Sequence, residues 1–190
     1  MNVSLHFTGD DDADKLLAED PAALLVGMLL DQQFPMERAF AGPKKIADRM
    51  DGFDAARIAG MAADEFEELC ATPPGVHRYA RSMAKRIQAV CQAIIDDYDG
   101  DATAIWTRDD PDGAEVFRRL KALPGYGEQK AKIFLALLGK QLGVEPAGWR
   151  NVAGHYGDPE ARRSIADVTG ADSLAEVRAF KKAQKAAAKK

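Results

Sequence analysis

Two cysteines, Cys70 and Cys91, among 190 residues exclude most cysteine chemistry. They cannot supply the four thiolates of an iron–sulfur cluster, and they do not make a disulfide framework. Each sits among apolar neighbours at helical spacing, so buried free thiols are expected. Long apolar runs are also missing. The longest, Ala22 to Leu30, falls well short of the ~20 residues that cross a bilayer. The start, Met1-Asn2-Val3-Ser4-Leu5-His6, lacks the pattern of a signal peptide, so a cytoplasmic protein is expected. No His/Cys cluster has metal-ligand spacing, and no transition metal is indicated. Nor is there a basic excess: the formal net charge is -4. That argues against a generic basic coat for nucleic acid, although binding follows the local field rather than the total. Strand patterns and internal repeats are absent too.

What remains is helix. Hydrophobic residues make up 46% of the chain, enough for a real core in one domain spanning 1–190. Aspartates cap a short helix over Asp10 to Ala18. Pro21 stands at the first turn of the next, Ala22 to Leu30, which is apolar nearly all round and should be buried at the centre. Helices are expected at Met36 to Phe40 and Lys44 to Met50, broken by Gly42-Pro43, then at Asp54 to Ala59 and Asp64 to Cys70. A long helix runs from Tyr79 to Asp97 with Met83, Ile87, Val90, Cys91 and Ile94 on one face. Gly143 to Gly157 is the least regular stretch. A helical tail over 173–190 ends rich in lysine and reads as solvated surface, as does the acidic start. Basic residues also gather at Arg78, Arg81, Lys85 and Arg86, and at Arg118, Arg119 and Lys121.

The most informative segment is Leu123-Pro124-Gly125-Tyr126-Gly127-Glu128-Gln129-Lys130-Ala131, set between two helical patterns in a hairpin of about 114–138. Two glycines one residue apart permit a tight turn. The second helix begins at once, so its unpaired N–H groups and positive end point the same way, which makes an anion site. A DNA phosphate suits it, with Lys130 as a second, salt-sensitive contact. The plain alternative is two core helices joined at a glycine cap.

This pattern resembles the helix-hairpin-helix of the HhH-GPD superfamily, the DNA glycosylases related to endonuclease III. The resemblance implies an all-α fold with two lobes around a cleft, double-stranded DNA as partner, a monomer associated with the nucleoid, and a base excision repair role. It also implies that carbonyls of the hairpin can hold a monovalent cation. A second resemblance lies at Leu29-Leu30-Asp31-Gln32-Gln33, where family members carry a residue that enters the duplex after the target base leaves. Gln33 matches that position. Extruding a base costs a few kcal/mol, which a side chain in the gap partly offsets. A third, weaker likeness is the basic helix Tyr79 to Gln92, where Lys85 and Arg86 face either DNA or solvent.

Two departures bear on chemistry. Bifunctional members carry a nucleophilic lysine where this chain has Gln129. Lys130 follows one step on, rotated about 100° around the helix, so lyase chemistry is not expected and Gln129 is left to hydrogen bond. The family's catalytic aspartate falls, by ungapped alignment, on Ala147. Glu145 is the nearest carboxylate in Gly143 to Arg150, and Asp31, beside the proposed wedge, is the other candidate. Either could activate water or stabilise the developing sugar cation; the plain reading, which the residues alone favour, is a loop glutamate and a helix-end aspartate. His77 with Tyr79, and His155 with Tyr156, could stack on a base. The expected DNA contacts are thus Gly125, Tyr126, Gly127, Gln129, Lys130 and Gln33, with Glu145 or Asp31 as the catalytic group. The readings are a monofunctional N-glycosylase without a cofactor, a non-catalytic damage-recognition protein that has lost its aspartate, or a helical interaction module. Which lesion is recognised is not encoded in these motifs.

Overall fold

Nine consecutive residues of one helix, Ala22 to Leu30, are buried. The rest of the chain is arranged around them in a computed structural model that describes residues 3–189; Met1, Asn2 and Lys190, the ends of the expected domain and tail, lie outside the described residues. Among the described residues eleven α-helices follow one another: α1 Asp11–Glu19, α2 Pro21–Leu30, α3 Met36–Met50, α4 Ala55–Gly60, α5 Ala63–Ala71, α6 Ala80–Tyr98, α7 Ala104–Thr107, α8 Gly113–Lys121, α9 Glu128–Gln141, α10 Trp149–Ala153 and α11 Ala171–Ala188. Short 3-10 turns cover Gly154–Gly157 and Ile165–Asp167. The described residues contain no strand, so the all-α expectation holds.

Aspartates start several of these helices. Asp10 accepts from the amides of Asp12 and Ala13, Asp20 from Ala23, Asp54 from Ala56 and Arg57, and Asp112 from Glu115. Each occupies amides that a helix start leaves unpaired. Pro21 begins α2, where its missing N–H costs nothing.

The break expected at Gly42-Pro43 does not occur: α3 runs through Pro43 without interruption. An interior proline costs ~3 kcal/mol. Against it stand Phe40, Ile46 and Met50, all buried, each contributing roughly 1.5–3 kcal/mol. Gly42 supplies the other half of the reason. A Cβ there would lie 2.5 Å from Leu30 Cδ1, so the missing side chain lets α3 close on α2. Gly27 does the same from α2, where a Cβ would meet the Phe40 ring at 2.7 Å.

Two groups of helices form. α1, α3 and α6 pack around α2 on one side, with α4 and α5 laid on α6, while α8, α10 and the Ile165–Asp167 turn pack around α9 on the other. The irregular stretch after α9 is better ordered than its glycines imply. Trp149 is buried, and its indole occupies the space where a Cβ on Gly139 would stand, 2.5 Å away. The groups meet where α9 touches α2. That junction places the start of α9 beside the end of α2, and so brings the hairpin turn to the loop that carries Asp31, Gln32 and Gln33.

Candidate nucleic-acid interface

The turn between α8 and α9 has the geometry its sequence promises, but its two glycines do different work. Gly125 takes φ +79, and a Cβ there would lie 2.5 Å from Leu29 Cδ1. Both the left-handed backbone and the contact with α2 require glycine. Gly127 has φ -93 and nothing within 4 Å of a built Cβ. Neither conformation nor packing calls for glycine there; its bareness leaves the start of α9 open. Gly127 is the N-cap of α9 and makes no side-chain cap bond. Among the described residues no acceptor meets the amides of Gly125, Gly127, Glu128 or Gln129. Those N–H groups face outward at the positive end of a fourteen-residue helix.

Two expected contacts are corrected. Tyr126 is buried, its hydroxyl donates to the Leu25 carbonyl at 2.6 Å, and its amide is bonded to the Leu123 carbonyl. It fastens the turn to α2 and has no donor left for DNA. Burial pushes its phenol well above the usual range. Lys130 turns inward as well. Its ammonium donates to the carbonyls of Met28 at 2.8 Å, Asp31 at 3.1 Å and Leu29 at 3.4 Å, a cation seated on the carbonyl end of α2. Burial pulls its pKa down to about 8. The lysine read as a phosphate contact is the cap that joins α9 to α2.

Gln33 is the residue expected to act as a wedge. It is exposed in the loop after α2, with a left-handed backbone at φ 52. A non-glycine residue in that region is uncommon and carries some backbone strain. Gln32, its neighbour, is bound locally: its amide donates to the Leu29 carbonyl at 2.8 Å and its oxygen accepts from Arg86 at 3.2 Å. His77 secures the loop from behind. It is buried, its Nε2 bonds the Gln32 carbonyl at 2.9 Å, and its Nδ1 accepts the Tyr79 amide at 2.9 Å. Phe34 stacks on it with ring centroids 4.7 Å apart. That network requires neutral imidazole, and burial lowers its pKa accordingly. A buried His77 cannot stack on a base; Tyr79, the exposed aromatic beside it, remains open to solvent.

Between this loop, the start of α9 and α11 lies a cleft of about 920 Å³. Gln33 and Gln129 line it, and Gln129 donates to the Tyr156 hydroxyl at 3.1 Å. Its cations are Lys130, Arg163, Arg178, Lys181, Lys182, Lys185 and Lys189, and Asp31 is the one carboxylate among its lining residues. Asp31 pairs with Lys181 at 3.3 Å, and its side chain is 7% exposed. Glu145 is corrected: it is exposed on the loop after α9, outside the cleft, and α9 separates that loop from the hairpin turn by about 20 Å at 1.5 Å per residue. Ala147, where the resemblance asks for aspartate, donates no side chain to the cleft; its carbonyl accepts from the Gly113 amide at 2.7 Å.

The basic clusters also sort themselves. Arg118 and Arg119 both bond Glu115, whose carboxyl they hold down at about 2. Arg81 pairs with Glu68 and Lys85 with Glu67. The tail, read as solvated surface, is the cluster that faces the cleft. Sequence reasoning missed its orientation, although its basic residues recur at helical spacing. Among the described residues no group of three or more His, Cys, Asp and Glu could hold a metal ion. No helix among them is long and apolar enough to cross a membrane.

A family model for the HhH-GPD superfamily base excision DNA repair proteins matches residues 26–189. No curated protein and no solved structure matches the chain.

Proposed function

This chain belongs to the HhH-GPD superfamily of base excision DNA repair proteins, and from that premise we propose that it is a monofunctional DNA N-glycosylase acting on duplex DNA, with Asp31 as its catalytic carboxylate. One observation carries the reading. The cleft flanked by Gln33 and Gln129, beside the open amides of the hairpin turn, has Asp31 as its single carboxylate among the described residues. The amides of Gly125, Gly127, Glu128 and Gln129 hold a backbone phosphate. Gln33 fills the space left when the base swings out. The C1′–N bond then breaks, its electron pair leaving with the base, and positive charge grows on the sugar. The Asp31 carboxylate stabilises that charge and takes a proton from the water that adds to C1′. Gln129 orients the extruded base with Tyr156. A nucleophilic amine is not part of this reading, since Lys130 is bound by three carbonyls.

A second reading, a damage-recognition protein without catalysis, rests on two observations: alanine at position 147, and Lys181 lying over Asp31. Single-turnover excision on a panel of duplexes, each with one damaged or mismatched base, separates the two. The glycosylase reading expects base release from at least one duplex, falling on the order of 10²–10³-fold in Asp31→Asn with duplex affinity retained. Tight binding of a lesion duplex with no release of any base would establish the second reading instead.

A further inference from the structure

We propose that one face of α11 is a second phosphate-binding track, which grips the DNA backbone independently of the hairpin turn. The proposal rests on the duplex-binding reading above and extends it to a surface that the hairpin motif does not include.

Arg178, Lys182, Lys185 and Lys189 recur at spacings of four, three and four, with Lys181 beside Lys182. At 100° per residue they fall within roughly a 100° arc of the helix and span about 16 Å along it. All five line the cleft. The rest of α11 past Val177 is largely alanine, and Val177 is its one buried residue. Packing therefore does not explain the stripe.

Neither does internal electrostatics. Arg178 pairs with Glu37 and Lys181 with Asp31. Among the described residues no carboxylate pairs with Lys182, Lys185 or Lys189, and the elements facing them across the cleft bring further cations, Lys130 and Arg163. Like charges three and four residues apart destabilise a helix by a few tenths of a kcal/mol each. In the other two basic clusters Arg81, Lys85, Arg118 and Arg119 are held by Glu68, Glu67 and Glu115. In a chain with a net charge of -4, a self-repelling stripe aimed into a cleft with Lys182, Lys185 and Lys189 unpaired among the described residues calls for a polyanion. A DNA strand presents one phosphate per 3.4 Å of axis, so 16 Å of stripe faces about five. Three free lysines at this pitch suit a repeating backbone better than a single phosphate.

The test is the salt dependence of binding. Duplex DNA of about 20 base pairs is titrated with the full chain across a range of KCl, using wild type and Lys182→Gln/Lys185→Gln/Lys189→Gln. The three positions are exposed, and matching thermal melts show that the variant is folded. Three lost phosphate contacts should flatten the slope of log K against log salt by up to about 2.7, and the corresponding triple arginine variant should restore it. A glutamine variant with the wild-type slope overturns the second track while leaving the hairpin reading intact. Wild type that shows no salt-dependent duplex binding overturns both.

Discussion

Lys181 and Asp31, 150 residues apart in sequence, meet at 3.3 Å across the cleft. The pair, together with Arg178 and Glu37, ties the tail helix to the loop after α2 and to the start of α3. Beyond Val177 the helix has little apolar anchorage. The Arg178 pair is largely exposed and such pairs are individually weak, about 0–1 kcal/mol, but the Asp31 side chain is 7% exposed, so loss of Lys181 leaves a buried carboxylate unpaired. Lys181→Met/Arg178→Met should therefore lower stability by about 1–3 kcal/mol and loosen the tail. Hydrogen exchange should show its largest acceleration in α11. Unchanged α11 protection would mean that something other than these pairs holds the helix.

The two glycines of the turn should separate stability from binding. Gly125→Ala forces a side chain into φ +79 and against Leu29, which should cost about 1–3 kcal/mol in urea unfolding. Gly127→Asp meets no obstruction and introduces a preferred N-cap, so stability should hold or rise. Its carboxylate would occupy the amides offered to phosphate, so affinity should fall for all duplex sequences alike. If Gly127→Asp binds DNA with wild-type affinity and salt slope, the turn is only a connection.

Borohydride trapping on abasic duplex should yield no covalent adduct, at neutral pH or at pH 9. The alkaline condition matters because Lys130, pulled down to about 8, is then mostly neutral and chemically able to attack an aldehyde. It remains bonded to the end of α2, and the site a bifunctional enzyme would use is Gln129. An adduct that disappears in Lys130→Met would show that this lysine leaves its carbonyls and reaches the sugar.

His77 should make the wedge loop sensitive to acid. Its folded pKa is lowered, so its contribution is present above the unfolded value of about 6.5 and is lost as pH falls through that value to the folded one. Protonation also removes the acceptor of the Tyr79 amide. Melting temperatures of wild type and His77→Gln, compared from pH 7.5 to 5, should show wild type losing its advantage on acidification. Parallel curves would remove His77 as the cause.

Burial makes the two thiols inert under the same conditions. The pKa values of Cys70 and Cys91 are pushed up to about 12, so neither forms thiolate at pH 8. A disulfide reagent should label both only at the rate of unfolding; prompt native labelling of either would show that its helix opens.

Local sequence determined the helices, their aspartate starts and the hairpin turn, because caps, apolar periodicity and glycine act over a few residues. It determined the place of Gln33 too, through the loop that must end an all-apolar helix. Proline 43 misled because its local penalty is smaller than the burial of Phe40, Ile46 and Met50, which exists only once α2 is beside α3. The tertiary structure alone decided what the charges do. Lys130 caps α2 only because α9 starts at the end of α2. Glu145 and Asp31 are both carboxylates beside helix ends, and only folding sends one into the cleft and leaves the other outside it. The lysine stripe was written in the spacing of α11, but its direction depends on Arg178 and Lys181 finding Glu37 and Asp31, partners more than a hundred residues away. A charge acts through its neighbours in space, and for these residues sequence distance carries no record of who those neighbours are.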